Sequence, residues 1–210
     1  MSGLFITFEG GEGVGKSTQI ERLKNALKTA GHEVVVTREP GGTPIAERIR
    51  DVLLDPANDD MTPMAELMLY EAARAQHVGE LIQPALDAGR IVLCDRFNDS
   101  TTAYQGAGRD LALEDVEVLH QQATGGLLPD VTILLDLDPA VGLSRAKGEG
   151  AGDRIEKESL AFHERVRAGF LELTERFPKR IHRIDADQSI DAIADAVHAI
   201  VMSRLAARGD

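Results

Sequence analysis

Residues 9 to 18 read "EGGEGVGKST", with glycines at Gly10, Gly11, Gly13 and Gly15 ahead of Lys16, Ser17 and Thr18. A backbone this bare can turn its N–H groups inward around an anion, while a lysine adds positive charge and a serine hydroxyl can help to hold Mg²⁺. Gly10 to Ser17 fits G-x-x-x-x-G-K-[ST], with the apolar run before it and the helical pattern after it that the motif requires. The chemistry indicated is a nucleoside triphosphate seated on Gly10, Gly11, Glu12, Gly13, Val14, Gly15, Lys16, Ser17 and Thr18. Glu12 is the odd member, a negative charge in a loop suited to anions. A phosphate loop does not choose a reaction by itself. A GTP-driven switch is expected to carry a guanine-reading N-K-x-D, and that string is absent.

Arg38, Asp95 and Arg96 stand at the ends of two further apolar runs, where guanidinium groups can grip a second phosphate bidentately. By residue type alone they serve equally well in surface ion pairs. Arg38 is followed by "EPGG", a corner that exposes backbone and brings the arginine to a rim. Tyr70 and Arg74 are four apart in one helical pattern, and Thr101, Tyr104 and Gln105 follow i, i+3, i+4 in another, so each set can share a helix face. An aromatic, an arginine and a hydroxyl or amide suit a flat heterocycle with polar edges. The same tyrosines also fit a core, and the polar groups also fit helix caps.

These residues need a frame. Residues 3–8, "HEVVVTR", "RIVLCDR", "DVTILLDLD" and "RIHRIDA" read as strands. Helical spacing runs over 16–30, about 43–54, about 62–88 up to Gly89, and 188–207. Strands alternating with helices predict a parallel sheet covered on both faces, with ligands at the carboxyl ends of the strands. The glycine loop, "REPGG" and "DRFNDSTTAYQ" all begin at such ends, so right-handed crossovers bring them to one rim and one composite site.

Composition narrows the classes further. At 210 residues, 43% hydrophobic and 28% charged, the chain suits one compact soluble unit. No apolar run approaches the roughly 20 residues that cross a bilayer, and "MSGLFITF" lacks the features of a signal peptide, so a cytoplasmic protein is expected. A net charge of −12 opposes non-specific nucleic-acid binding and requires a small anionic ligand to have its own concentrated positive site. The single cysteine, Cys94, excludes an intramolecular disulfide and reads as a buried, unreactive thiol. The six histidines lack metal-ligand spacing.

In order and spacing, "FEGGEGVGKST", "TREPGGTPIAERIR", "YEAARAQH", "DRFNDSTTAYQGAGR", "PDVTILLDLDP" and "GDRIE" resemble the thymidylate kinase family, whose members move the γ-phosphoryl of ATP to dTMP. The resemblance implies an α/β, three-layer P-loop nucleoside monophosphate kinase fold, its five-stranded parallel sheet flanked by helices. It implies a single domain over 1–210 with a mobile lid at about 144–156. Lys16 and the loop amides would hold ATP phosphates, and Arg38 and Arg96 the dTMP phosphate. Asp95 would order Mg²⁺ or the arginine, with Ser17 also near the metal. Tyr70, where phenylalanine is common in the family, would stack on thymine. Arg74, Thr101 and Gln105 would read the base edge, and Tyr104 would lie under the deoxyribose and disfavour a 2′-hydroxyl. Glu12 would reach the 3′-hydroxyl or the metal shell.

One branch of the family carries a basic residue in the phosphate loop and the other takes it from the lid. Positions 11 to 14 are Gly, Glu, Gly and Val here, similar to the lid-arginine branch, with Arg154 the first candidate and Arg145 the second. Lys147 is a further lid cation. The family also implies a homodimer, for which the apolar face of the 62–88 helix is a candidate contact. ATP and dTMP are then the partners, with no nucleic acid and no membrane. Two rival readings remain from the residues themselves: a kinase for another nucleotide such as dUMP, and a nucleotide-dependent switch that consumes no acceptor.

Overall fold

The computed structural model describes residues 3–146 and 153–209; the middle of the expected lid, with Lys147, lies outside them. Strand β1 (Leu4–Glu9) runs into the glycine loop, and α1 (Lys16–Thr29) begins within it. Strand β2 (Val34–Arg38) turns through the proline–glycine corner into α2 (Pro44–Leu54). Pro44 sits in the first turn, where a missing N–H is no loss. A long rod follows: α3 (Pro63–His77), a π turn over Val78–Ile82, then α4 (Gln83–Asp87). Strand β3 (Ile91–Asp95) leads into α5 (Asn98–Thr101), continued by a π-helical stretch, Thr102–Gly108, and then α6 (Leu113–Thr124). The chain ends as β4 (Val131–Asp136), α7 (Pro139–Ala146), α8 (Leu160–Arg176), β5 (Ile181–Asp185) and α9 (Ile190–Arg208).

All five strands are parallel, in the order β2-β3-β1-β4-β5. The expected α/β sheet with helices on both faces is what the chain forms. β1 and β4 are buried at every residue, which is why they read as unbroken apolar runs. The edge strands β2 and β5 are only partly buried. On one face Leu23 and Leu27 of α1 and Val197 and Val201 of α9 pack with Ile6, Leu93 and Ile133. On the other, Ile82 and Leu86 of the long rod meet Phe5, Val92 and Phe97, while Phe162 and Phe170 of α8 meet Tyr104 and Leu134. Cys94 is fully buried, and its thiol donates to the Arg96 carbonyl at 3.0 Å. Burial pushes its pKa well up, which leaves it the unreactive packing residue expected.

Two helices differ from the α spacing that their sequences suggest. Pro84 has no N–H and its ring crowds the carbonyl four residues back. The rod absorbs this by widening, so that the Gln83 N–H bonds the Val78 carbonyl five residues away. The stretch carrying Tyr104 and Gln105 is likewise π-helical. None of the described helices is long and apolar enough to cross a membrane.

Helix α7 leans directly on the glycine loop. A Cβ at Gly13 (φ +64°) would come within 2.1 Å of the Gly142 carbonyl, and one at Gly142 within 2.3 Å of the Glu12 carbonyl. Side chains at these two positions would drive the backbones apart, so the glycines are what lets the loop be braced from behind.

Candidate active site

A cleft of about 360 Å³ opens over the carboxyl ends of β1, β2 and β3, where ligands bind in open parallel sheets. Six of the described residues lining it are cationic: Lys16, Arg38, Arg50, Arg74, Arg96 and Arg145. Five lining residues are acidic, Glu12, Glu39, Asp95, Asp153 and Glu156, so in a chain of net charge −12 the cleft is a place where cations match and just exceed the acids. Lys16 is buried, its ammonium donating to the Gly11 carbonyl at 2.9 Å and the Gly10 carbonyl at 3.4 Å. Burial, and then repulsion from Arg96, pull its pKa down. Ser17 and Thr18 are exposed at the start of α1.

Arg96 joins the two halves of the cleft. It follows β3 with φ +67°, a left-handed conformation that is rare for a residue with a side chain and needs external support. That support is extensive. Its N–H donates to the Phe8 carbonyl at 2.9 Å. The guanidinium donates to the Gly10 carbonyl at 2.8 Å and to Glu12 Oε1 at 2.7 Å, and it stacks 5.0 Å from the Tyr104 ring centre. The Tyr104 hydroxyl donates to the same Glu12 oxygen at 2.9 Å. Burial opposes ionisation of Glu12, but Arg96, Lys16 and the Tyr104 bond outweigh it and bring its pKa down to about 2. Three residues expected in separate roles therefore form one contact.

The far wall is built from β2, α2 and the long rod. Arg38 is 53% exposed in its side chain and pairs with Glu47 at 2.8 Å; Glu47 also accepts from the Gly42 N–H at 2.7 Å. Gly42 has φ +85°, and a Cβ there would fall 2.4 Å from His77 Nε2, so the corner after Arg38 depends on glycine. Arg50, which sequence reasoning left without a role, lines the same wall and donates to the Pro40 carbonyl at 2.8 Å. Arg74 is buried against Glu39 at 2.7 Å and against Glu71, and it donates to Thr101 at 2.9 Å. Burial works against its charge, yet Glu39 and Glu71 keep its pKa above the ordinary value. Tyr70, Thr101 and Gln105 line the cleft with it. The π-helical stretch presents Tyr104 and Gln105 to the same side as Thr101 despite its wider turn.

The two described lid arginines part company. Arg145 lines the cleft beside the glycine loop and pairs with Asp187 at 3.1 Å. Arg154 is 6% exposed, donates to the Leu53 carbonyl at 2.8 Å and pairs with Glu66 at 2.6 Å. It does not line the cleft wall in this structure. The expected place for Arg154, over the phosphates, is therefore not the arrangement seen: a fully buried carboxylate holds it against α3. Glu66 was itself overlooked, although it falls one turn before Tyr70 and two before Arg74. That spacing was the available signal.

Among the described residues no cluster of three or more His, Cys, Asp or Glu is arranged to hold a metal. Mg²⁺ needs no such cage, since it is held by one or two carboxylates together with substrate phosphates. The residues fit that mode: Asp95 Oδ1 is buried with no hydrogen-bond partner, and the exposed Ser17 hydroxyl adds a second hard oxygen donor.

The family model described as thymidylate kinase matches residues 8–197. Similar relatives include the thymidylate kinase of Exiguobacterium sp., 53% identical over 205 residues that cover 98% of this chain and 97% of the relative. The thymidylate kinase of Caulobacter vibrioides is 52% identical over 203 residues, covering 97% and 98%. That of Geobacter sulfurreducens is 53% identical over 212 residues, covering 98% and 100%.

Behind the site, Glu9 is fully buried and accepts from the Phe97 N–H at 2.8 Å and the Ser100 hydroxyl at 2.5 Å. Burial, and then the nearby Asp99, raise its pKa from 4.5 to about 8. Between those values the folded chain holds a proton that the unfolded chain has released, so stability should fall as pH rises through this window. Glu9→Gln removes the titration while keeping the shape. Denaturant melts at a series of pH values should show a flatter decline for this variant than for the natural chain, and equal slopes would mean that Glu9 is ionised in the fold.

Proposed function

This chain belongs to the thymidylate kinase family, and on that premise we propose that it transfers the γ-phosphoryl group of ATP to dTMP, giving dTDP and ADP. The observation that carries the reading is the shared carboxylate of Glu12. It belongs to the phosphate loop, yet it accepts from Arg96 and Tyr104 of the opposite half, so donor and acceptor are aligned by one residue.

Phosphoryl transfer leaves little covalent work to the protein, and the barrier falls through alignment and charge neutralisation. A phosphate oxygen of dTMP attacks the γ-phosphorus, and ADP leaves. Lys16 exchanges its two carbonyl acceptors for phosphate oxygens, helped by the amides of the loop. Arg96 and Arg38 hold the dTMP phosphate, and Arg50 adds charge on the same wall. Glu12, ionised at any physiological pH, accepts from the 3′-hydroxyl. Tyr70 stacks on the base, while Arg74, Thr101 and Gln105 face its edge and Tyr104 lies beneath the sugar. Bound through Asp95, Ser17 and the phosphates, Mg²⁺ would supply further charge neutralisation. We assign the loop-side lid charge to Arg145, because it lines the cleft beside the loop. The reading also places the chain in the cytoplasm as a single kinase domain. It pairs two copies, and the exposed Met68 and Val118 of the neighbouring helices α3 and α6 offer apolar surface for that contact.

An ADP-release assay with ATP and Mg²⁺, comparing dTMP, dUMP, dCMP, dGMP and UMP at equal concentration, tests the reaction. Strong preference for dTMP is expected, and no acceptor-dependent ADP with any of the five would end the proposal. In the same assay Arg145→Ala should lower kcat by about 10²–10³-fold with little change in dTMP KM, the behaviour of an arginine that acts on the transferring group. Near-normal turnover would remove that assignment. Light scattering should give twice the chain mass of 22.7 kDa; a single-chain mass at micromolar concentration would rule out the dimer.

A further inference from the structure

Glu66 is 0% exposed, and a carboxylate that deep must be paired and fully hydrogen-bonded. Its Oε1 accepts from Gln105 Nε2 at 2.8 Å and from Arg109 Nε at 3.1 Å. Its Oε2 accepts from Arg109 Nη2 at 3.0 Å and pairs with Arg154 Nη1 at 2.6 Å. Burial opposes its charge, but the bonds from Arg109 and Gln105 hold its pKa below the ordinary value. It is therefore an ionised group that only accepts hydrogen bonds.

This fixes a neighbour that does face the ligand. A carboxylate cannot bond a carbonyl oxygen, so the Gln105 atom against Glu66 is its NH₂, and the amide oxygen is left for the cleft that Gln105 lines. On the same wall Arg74, which carries donors alone, bonds Thr101, four residues before Gln105. The wall thus offers a donor and then an acceptor. A thymine or uracil edge, with a carbonyl oxygen next to a ring N–H, is complementary to that order. A cytosine edge presents an amino group next to a bare ring nitrogen, which is the reverse order.

We propose that Glu66 is a specificity-determining positioning residue: by holding the Gln105 NH₂ it locks the amide with its oxygen toward the base, and so selects acceptors whose ring nitrogen bears a proton. The inference rests on the reading that the acceptor base sits against Arg74 and Gln105. Without an ionised partner at 66, the Gln105 amide is free to turn over and present NH₂ instead. The three other donors on Glu66 come from Arg109 and Arg154, which are positive at every pH of interest. They keep the carboxylate ionised, and so keep the lock closed.

The test is the ratio of kcat/KM for dTMP to that for dCMP, measured for the natural chain and for Glu66→Gln. Glutamine at 66 can meet either end of the Gln105 amide. The ratio should fall about tenfold or more, chiefly through KM, because a buried mismatched polar pair is what enforces such discrimination. Equal losses for both acceptors, with the ratio unchanged, would make Glu66 a structural prop and overturn the proposal. Should the variant not fold, a crystal structure of the natural chain with dTMP decides. Gln105 must remain within hydrogen-bond distance of Glu66 while its other amide atom meets the base; a Gln105 turned away from Glu66 overturns the proposal. A natural chain without preference for dTMP over dCMP would instead remove the base-reading assignment beneath it, and that result is visible before any variant is made.

Discussion

The Arg96–Glu12 pair, at 2.7 Å between residues 84 apart in sequence, is the constraint on which the site depends. Arg96 occupies a left-handed conformation that costs about 1–3 kcal/mol for a residue with a side chain. It persists because a strand carbonyl, a loop carbonyl, a carboxylate and an aromatic face all hold it at once. The conformation in turn aims the guanidinium across the cleft at the glycine loop instead of along the sheet. If the pair were lost, the turn after β3 could relax, and the phosphate loop would lose its only described ion pair to the acceptor half.

The same device recurs around the cleft. Arg74 is fixed by Glu39 and Glu71, and Arg96 by Glu12. Buried pairs of this kind add little net stability, because desolvation consumes most of the attraction. What they secure is direction: a guanidinium has five donors, so a carboxylate can occupy two and leave the others aimed at a ligand. The chain has 35 acidic residues against 23 basic ones, and part of that excess holds the cleft's cations in place.

How much of this was legible depended on range. The glycine loop lies within ten consecutive residues, and the alternation of strand and helix is a local periodicity, so both could be read directly. Tyr70 and Arg74 were found by their spacing, and Glu66 on the same face was available by the same rule. The left-handed turn at Arg96 was not legible, since nothing in "DRFND" requires it; distant tethers impose it. Nor was the π-helical form of the Thr102–Gly108 stretch, where α spacing put Thr101, Tyr104 and Gln105 on one side but on the wrong kind of helix. The pairing of Arg154 with Glu66 was not legible either, because a glycine-rich run of mixed charges says nothing about which acid it meets.

Energetics separate the two lid arginines more firmly than sequence could. Arg145 pairs with Asp187 while their side chains are 47% and 72% exposed, and a surface pair of this kind is worth about 0–1 kcal/mol. Arg154 pairs with a fully buried Glu66, and withdrawing it takes away one of the two guanidinium partners of a buried carboxylate, a larger loss than that of a surface pair. Contacts with a bound nucleotide can exceed the first value easily, because phosphate oxygens offer a stronger partner than a solvated aspartate. To draw Arg154 away they must also outweigh leaving that carboxylate to Arg109 and Gln105 alone. On the proposed reading a division of labour follows from that difference: the weakly held arginine is free to meet the phosphates, and the strongly held one stays packed against α3.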